Sequence, residues 1–204
     1  MFDLLIKNGK RVNGEKVEVA IKDGAILAVE AEIESPSKEV LDLEGKHYLS
    51  AGWVDDHVHC YEKMTLYYDY PDEIGVTKGV TTVIDAGTTG AENIGDFYEL
   101  TKKVKTNVYA LVNISKWGIV EQDELADLSK VQATLVRDRL AELPKFIVGI
   151  KARMSKTVVG ENGITPLELA KDKPSINDSY RLGTARAAGS IGAIRCGRCA
   201  DALL

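Results

Sequence analysis

The sequence predicts an α/β fold, an incomplete (β/α)8 TIM barrel of about four βα units preceded by a small layer of short β-strands. Three observations indicate this fold. Apolar runs of strand length alternate with amphipathic stretches from about residue 50 onward, as in a parallel sheet. Before that point, short runs are separated by turn signals. Two histidines end the first long run, at the position where such a barrel carries metal ligands.

Residues 1–49 are predicted to form the small β-layer. Glycine after Asn, Asp or Glu marks tight turns, and the runs between these turns are long enough only for small strands. The turn signals are Asn8-Gly9, Asn13-Gly14, Asp23-Gly24 and Glu44-Gly45. Short strands joined in this way form a layer rather than a catalytic scaffold.

Residues 50–172 are predicted to form the first half of the barrel. Four runs can be buried on both faces, which is typical of strands in a parallel sheet. They are Tyr48 to Val58, Val80 to Ala86, Val108 to Ile114 and Phe146 to Lys151. The glycine-containing segment 85–90 follows the second run, but it lacks the lysine of a phosphate-binding loop, so we interpret it as a barrel loop.

Amphipathic stretches between these runs predict helices. The clearest stretch carries apolar residues at a spacing near 3.6, with charged residues on the opposite face. Its apolar positions are Leu125, Leu128, Val131, Leu135 and Leu143. A fainter helix is predicted from Ile94 to Val104.

His57 and His59 are the first candidate metal ligands. Residues i and i+2 of a strand point to the same face, so both imidazoles would face a common point. Imidazole nitrogens are usual ligands of zinc and similar divalent ions. The alternative is an alternating strand that carries two histidines on its polar face.

Lys151 and Arg153 end the fourth predicted strand. Lys151 follows a strongly apolar run, and an unpaired ammonium group would be costly there because burial disfavours the charged form. The alternative is a lysine that reaches the barrel mouth and pairs with a carboxylate. Arg153 lies two residues further on and can hold a substrate carboxylate with two hydrogen bonds, or it is solvated or salt-bridged.

The stretch from Ala51 to His59 resembles the Pro-Gly-Phe-Ile-Asp-x-His-x-His pattern of the amidohydrolase superfamily, with Ala51 in place of proline and Trp53 in place of phenylalanine. Further segments resemble the lead-in of that superfamily and, downstream, its dihydroorotase-like branch, which includes amidohydrolases and deacetylases. The lead-in segments are 3–10, 19–26 and 40–46, and the downstream segments are 146–155 and 159–167.

This resemblance implies a metal-dependent hydrolase that cleaves an amide, cyclic amide or related acyl bond with a metal-bound hydroxide. It implies that His57 and His59 bind one divalent ion, most commonly zinc, and that a carbamate formed on Lys151 bridges to a second ion. It places residues 1–49 in a β-sandwich. It also requires two further histidines and an aspartate base from later strands. His47 is the only other histidine and is expected at the surface, so two ligand positions stay unfilled. The expected aspartate is also missing, so no catalytic base is assigned.

Residues 173–204 are predicted to be an aberrant tail. After Lys173 the sequence contains four arginines and no lysine, whereas residues 1–173 contain all 18 lysines. We interpret this shift in composition as a one-base frameshift near residues 172–174. A (β/α)8 barrel takes about 250 residues, more than this chain offers. We therefore expect a product truncated after the fourth barrel strand and inactive by itself.

Composition restricts the partners. A net charge of −5 argues against nucleic acid and anionic membranes, so we expect a small-molecule substrate and allow for a homo-oligomer. Three cysteines, an odd number, fit a reducing compartment, and the cytoplasm is the expected location. Two other functions stay open: a deaminase of the same superfamily, and a non-catalytic fragment that binds metal weakly.

Overall fold

A computed structural model describes residues 1–171, 183–184 and 191–195 of the protein. The chain divides into two compact units, Met1–Ala51 and Gly52–Leu204. Each unit has its own sheet, so the two are described separately.

The first unit is a four-stranded sheet of order β3-β2-β1-β4. Strands β1, β2 and β3 are antiparallel neighbours, and β4 pairs parallel with β1. The strands are β1 (Phe2–Lys10), β2 (Lys16–Lys22), β3 (Ala25–Glu30) and β4 (Ser37–Asp42). Leu5, Ala20 and Ile33 form its small buried core. The predicted layer of short strands is therefore confirmed.

One predicted turn in this unit is wrong. Asn8-Gly9 lies inside β1, where the pairing with β2 shifts register between Ile6 and Gly9. Asn8 has a φ of 54°, and asparagine tolerates this left-handed conformation, so the strand bulges just before Gly9 and does not reverse. The other three turn signals do mark turns.

The second unit is built on a six-stranded sheet of order β5-β6-β7-β8-β10-β9. Strands β5 to β8 are parallel, whereas β10 is antiparallel to β8. The strands are β5 (Trp53–Val58), β6 (Val80–Asp85), β7 (Asn107–Asn113), β8 (Ile147–Arg153), β9 (Gly183–Thr184) and β10 (Ile191–Arg195). All four predicted barrel strands are present, and the α/β class is confirmed. The first begins at Trp53 rather than at Tyr48.

Helices follow the parallel strands. They are α1 (Pro71–Ile74), α2 (Ile94–Thr101), α3 (Ala133–Glu142), α4 (Lys156–Val159) and α5 (Thr165–Lys171). Helices α2 and α3 pack on β7 and β8 around an aromatic cluster. In this cluster Phe97 meets Phe146 edge to face, with ring centroids 5.5 Å apart.

The predicted helix from Leu125 to Leu143 is wrong in its first half. Helix α3 begins only at Ala133, and Leu128–Lys130 is a single 3-10 turn. The Asp127 carboxylate accepts a hydrogen bond from the Ser129 amide and starts this turn. Leu125 lies in a loop and its side chain is buried in the core. Its apolar character therefore reflects core packing and not the periodicity of a helix.

The predicted aberrant tail, residues 173–204, lies outside the described residues apart from β9 and β10. The frameshift therefore stays a prediction. Within the described part of the chain, no helix is long and apolar enough to cross a membrane.

Candidate metal centre

The three predicted metal ligands lie at the carboxyl ends of two strands of the parallel sheet. His57 is the penultimate residue of β5, His59 is the first residue after this strand, and Lys151 is near the end of β8. The two imidazole rings stand edge to face, with centroids 5.8 Å apart. The strand geometry thus brings the two histidines together, as the sequence predicts.

The pKa values of both imidazoles are lowered, which favours their neutral form. Burial, together with the positive charges of His57, Lys151 and Arg153, lowers the pKa of His59 to about 4. Burial and the charge of Lys151 also lower the pKa of His57, against a smaller opposing effect of Asp55. Neutral imidazole is the form that binds a metal ion, so the site favours metal over a proton at neutral pH.

Lys151 is a buried lysine, with only 2% of its surface exposed. Burial lowers its pKa to about 8, although Asp85 and Glu124 act in the opposite direction. Among the described residues, no carboxylate forms an ion pair with its ammonium group. An appreciable fraction of this amine is therefore neutral near physiological pH.

A chain of hydrogen bonds contacts His59 at its Nδ1 atom. His59 Nδ1 lies 2.8 Å from Thr88 Oγ1, and this hydroxyl donates to Asp85 Oδ2 at 2.7 Å. The Asp85 carboxylate also accepts hydrogen bonds from the amides of Cys60 and Thr88. Complete burial raises the pKa of Asp85, and these hydrogen bonds oppose that rise.

Asp85 and Thr88 were not predicted as site residues, because the pattern of segment 85–90 indicates only a barrel loop. The available signal was an aspartate at the carboxyl end of β6, a strand that is otherwise uncharged. A buried carboxylate at that position needs several donors, and the loop that follows it provides them.

Arg153 is paired with a buried carboxylate. Its Nε donates to Glu124 Oε1 at 3.0 Å, and its Nη2 donates to Glu124 Oε2 and to the Gln122 carbonyl. Burial raises the pKa of Glu124, whose side chain is 1% exposed, and the arginine opposes this rise. The arrangement ties loop 121–124 to the end of β8. The substrate-binding role of Arg153 stays a prediction.

A cavity of about 430 Å³ opens beside His59. Its wall is mostly the segment that follows β5, and the Tyr67 ring lies 5.6 Å from the His59 ring. The lining residues are Asp55, Val58, His59, Leu66, Tyr67, Tyr68, Asp69 and Ile74. The cavity has room for a small molecule next to the His59 imidazole.

The residues present fit a divalent metal ion in part. Two neutral imidazoles and a partly neutral amine are nitrogen donors, and imidazole is a preferred zinc ligand. Within the described residues there is no cluster of three or more His, Cys, Asp and Glu side chains that could hold a metal. His47, the third histidine, is exposed in the first unit, as expected.

The fold and the site together define a parallel half-barrel with imidazoles and a lysine at its strand ends. No protein-family model matches the chain. It is 72% identical to a deacetylase of Enterococcus faecalis over 181 residues, which are 89% of this chain and 49% of that relative. It is 35% identical to a deacetylase of Brucella anthropi, covering 74% of this chain and 38% of the relative.

Solved structures agree with these relatives. A crystal structure of an adenine deaminase matches with a TM-score of 0.81 and 71% identity. The match covers 84% of this chain and 47% of the adenine deaminase chain. A dihydroorotase structure matches with a TM-score of 0.76 and 30% identity over 83% of this chain. The chain spans about half the length of these proteins or less. The relatives belong to the amidohydrolase superfamily, whose members are generally metal-dependent, which confirms the resemblance seen in the sequence.

Proposed function

We propose that this chain contributes part of the metal centre of a hydrolase that cleaves a carbon–nitrogen bond in an amide, a cyclic amide or a related acyl compound. The observation that carries the proposal is the placement of two imidazoles and a buried lysine at the carboxyl ends of β5 and β8. In a (β/α)8 barrel this face is the one that holds the active site.

Each residue has a distinct part in this proposal. His57 and His59 hold a divalent ion, with zinc the best match to imidazole donors. The neutral amine of Lys151 attacks the carbon of CO₂, a proton leaves to solvent, and the resulting carbamate offers two oxygens as further ligands. A bound ion would polarise the scissile carbonyl and lower the pKa of a water molecule. The cavity beside His59 would take the small-molecule substrate.

The names of the relatives share one chemistry. Deacetylase, allantoinase, adenine deaminase and dihydroorotase all describe proteins that act on a carbon–nitrogen or related acyl bond. A deaminase is the second candidate, because the adenine deaminase structure is 71% identical. Lys151 favours the amide hydrolase, since the deaminases of this superfamily typically use one metal and no carbamylated lysine.

We extend the proposal to the parts of the site that the described residues do not supply. The resemblance implies two further histidines and an aspartate base, and the sequence has only His47 besides the two ligands. Full activity is then expected to need residues beyond those in the half-barrel. A cytoplasmic location and a homo-oligomer complete the proposal.

Metal binding by the full 204-residue chain tests the proposal. Zinc content would be measured by elemental analysis, and zinc affinity by competition with a chelator. We expect His59→Ala and His57→Ala to lose zinc, while His47→Ala keeps it as the matched control. Native mass spectrometry in bicarbonate should show an adduct of one CO₂ that is absent from Lys151→Met. Equal zinc loss in His47→Ala and His59→Ala would overturn the proposal.

A further inference from the structure

The Thr88 hydroxyl stands between His59 and Asp85 and contacts both. Thr88 Oγ1 is 2.8 Å from His59 Nδ1 and 2.7 Å from Asp85 Oδ2. A hydroxyl has one proton to donate and lone pairs to accept with. What Thr88 does with that single proton therefore decides which ring nitrogen of His59 carries hydrogen.

The surroundings of Asp85 direct the proton of Thr88 toward the carboxylate. Asp85 Oδ2 accepts from the Cys60 amide at 2.8 Å, and Oδ1 accepts from the Thr88 amide at 2.7 Å. Both oxygens thus accept from backbone amides, and these hydrogen bonds favour the ionised carboxylate against the rise in the pKa of Asp85 that burial causes. With its proton given to Asp85, the Thr88 hydroxyl can only accept from His59.

We infer that Thr88 is a positioning residue, which holds His59 in the Nδ1–H form and so directs the Nε2 lone pair toward a metal ion. A histidine that binds metal commonly donates its other ring N–H to a neighbouring acceptor, which fixes both ring orientation and tautomer. The inference rests on the proposed metal-binding role of His59, and it adds the residues that prepare this ligand.

Thr88 is itself fixed by a close approach of two loops. Its side chain is fully buried, and its carbonyl accepts a hydrogen bond from the Ile119 amide at 3.0 Å. A Cβ at Gly118 would lie 2.0 Å from the Thr88 carbonyl oxygen, so only glycine permits this approach. The loops after β6 and β7 therefore hold the hydroxyl in place before any metal binds.

The chain offers a matched control for the hydroxyl. Thr89 is equally buried, and its Oγ1 has no hydrogen-bond partner among the described residues. Thr88→Val and Thr89→Val thus make the same chemical change at adjacent buried positions. Only the first removes the partner of His59. Thr88→Ser keeps the hydroxyl and is the rescue variant.

The first readout is zinc affinity of the full chain, measured by chelator competition at pH 8. We expect Thr88→Val to weaken zinc binding by roughly ten- to a hundredfold, the usual effect of removing such a partner. Thr88→Ser and Thr89→Val should stay close to the wild type. An equal loss in Thr88→Val and Thr89→Val would overturn the inference, because it would reflect the loss of any buried hydroxyl.

The second readout is the tautomer of His59 in the metal-free protein, which a purely structural role of Thr88 would not change. Nitrogen-15 shifts of the imidazoles at pH 8 report which nitrogen is protonated, and the three histidines are assigned with His47→Ala and His57→Ala. We expect Nδ1–H in the wild type and in Thr88→Ser. A wild-type Nε2–H form would overturn the inference, and it does so even if Thr88→Val fails to fold. Absence of zinc binding with the Nδ1–H form would instead count against the proposed function alone.

Discussion

The stem of Lys151 occupies the space that a side chain at Gly87 would need. A Cβ at Gly87 would lie 2.5 Å from Cβ and 2.6 Å from Cγ of Lys151. Gly87 also has a φ of 82°, in the left-handed region that favours glycine. The loop after β6 can therefore pack against the lysine of β8 only because Gly87 has no side chain.

Gly87→Ala should destabilise the protein. The added methyl group must displace the Lys151 stem, and alanine is strained at this φ, so we expect a loss of about 2–4 kcal/mol. Urea unfolding followed by circular dichroism measures it. Gly95→Ala is the control, because no atom lies within 4 Å of a Cβ there and Gly95 is inside α2. A Gly87→Ala variant as stable as Gly95→Ala would show that Lys151 moves freely.

Lys151→Met should stabilise the metal-free protein. The lysine is desolvated without an ion pair among the described residues, whereas methionine fills a similar volume with no charge to bury. We expect a gain of about 1–3 kcal/mol in the free energy of unfolding, measured in chelator and CO₂-depleted buffer. Lys145→Met, on the exposed surface, should change it by less than about 0.5 kcal/mol. A destabilised Lys151→Met variant would mean that the ammonium group is well solvated or paired.

Strands β6, β7 and β8 could be predicted from the sequence because their burial demands apolar runs, whereas β5 is exposed along most of its length although it begins with the apolar Trp53 and Val54. Local hydrogen bonds caused the errors. The Asp127 side chain starts a 3-10 turn inside a pattern that looks helical, and Asn8 forms a bulge where the Asn-Gly pair suggests a turn. Neither effect changes the apolar pattern on which the predictions depend.

Of the candidate site, only the residues at the ends of strands could be predicted from the sequence. His57, His59 and Lys151 stand out because polar groups there interrupt apolar runs. Thr88 carries no such signal, since its role arises from contacts with His59 and Asp85 that the sequence does not place together. The pairing of Arg153 with Glu124 likewise joins residues 29 positions apart.

Arg153 and Glu124 should be strongly coupled. Removing the arginine alone leaves a buried carboxylate without its partner, so Arg153→Met should cost about 3–5 kcal/mol. The double variant Arg153→Met/Glu124→Leu should recover much of that loss, as a double-mutant cycle from urea unfolding would show. Lys102→Met, which breaks an exposed pair with Glu99 at 2.6 Å, should cost less than about 1 kcal/mol. Additive effects in the cycle would contradict the coupling.

Asp72 should make the stability of the second unit sensitive to acid. Its carboxylate accepts hydrogen bonds from the Thr106 amide at 2.8 Å and the Lys105 amide at 2.9 Å, which tie α1 to the start of β7. These bonds lower the pKa of Asp72 below its ordinary value. A carboxyl group with a lowered folded-state pKa stabilises the fold above its unfolded pKa of about 4, and this contribution fades as pH falls through the folded value.

Asp72→Ala is accordingly expected to cost about 1–3 kcal/mol at pH 7, because it removes the acceptor of the half-buried Thr106 amide and of the exposed Lys105 amide. The difference in unfolding free energy between Asp72→Ala and the wild type should become smaller as pH falls below about 4. Urea unfolding across a pH series would measure it. Asp138→Ala removes the same charge from the exposed side of α3 and should change stability by no more than about 0.5 kcal/mol. The loss of unfolding free energy in Asp72→Ala could instead be the same at pH 7 and below about pH 4. That result would show that the Asp72 side chain acts only through packing, and that protonation does not weaken its hydrogen bonds to Lys105 and Thr106.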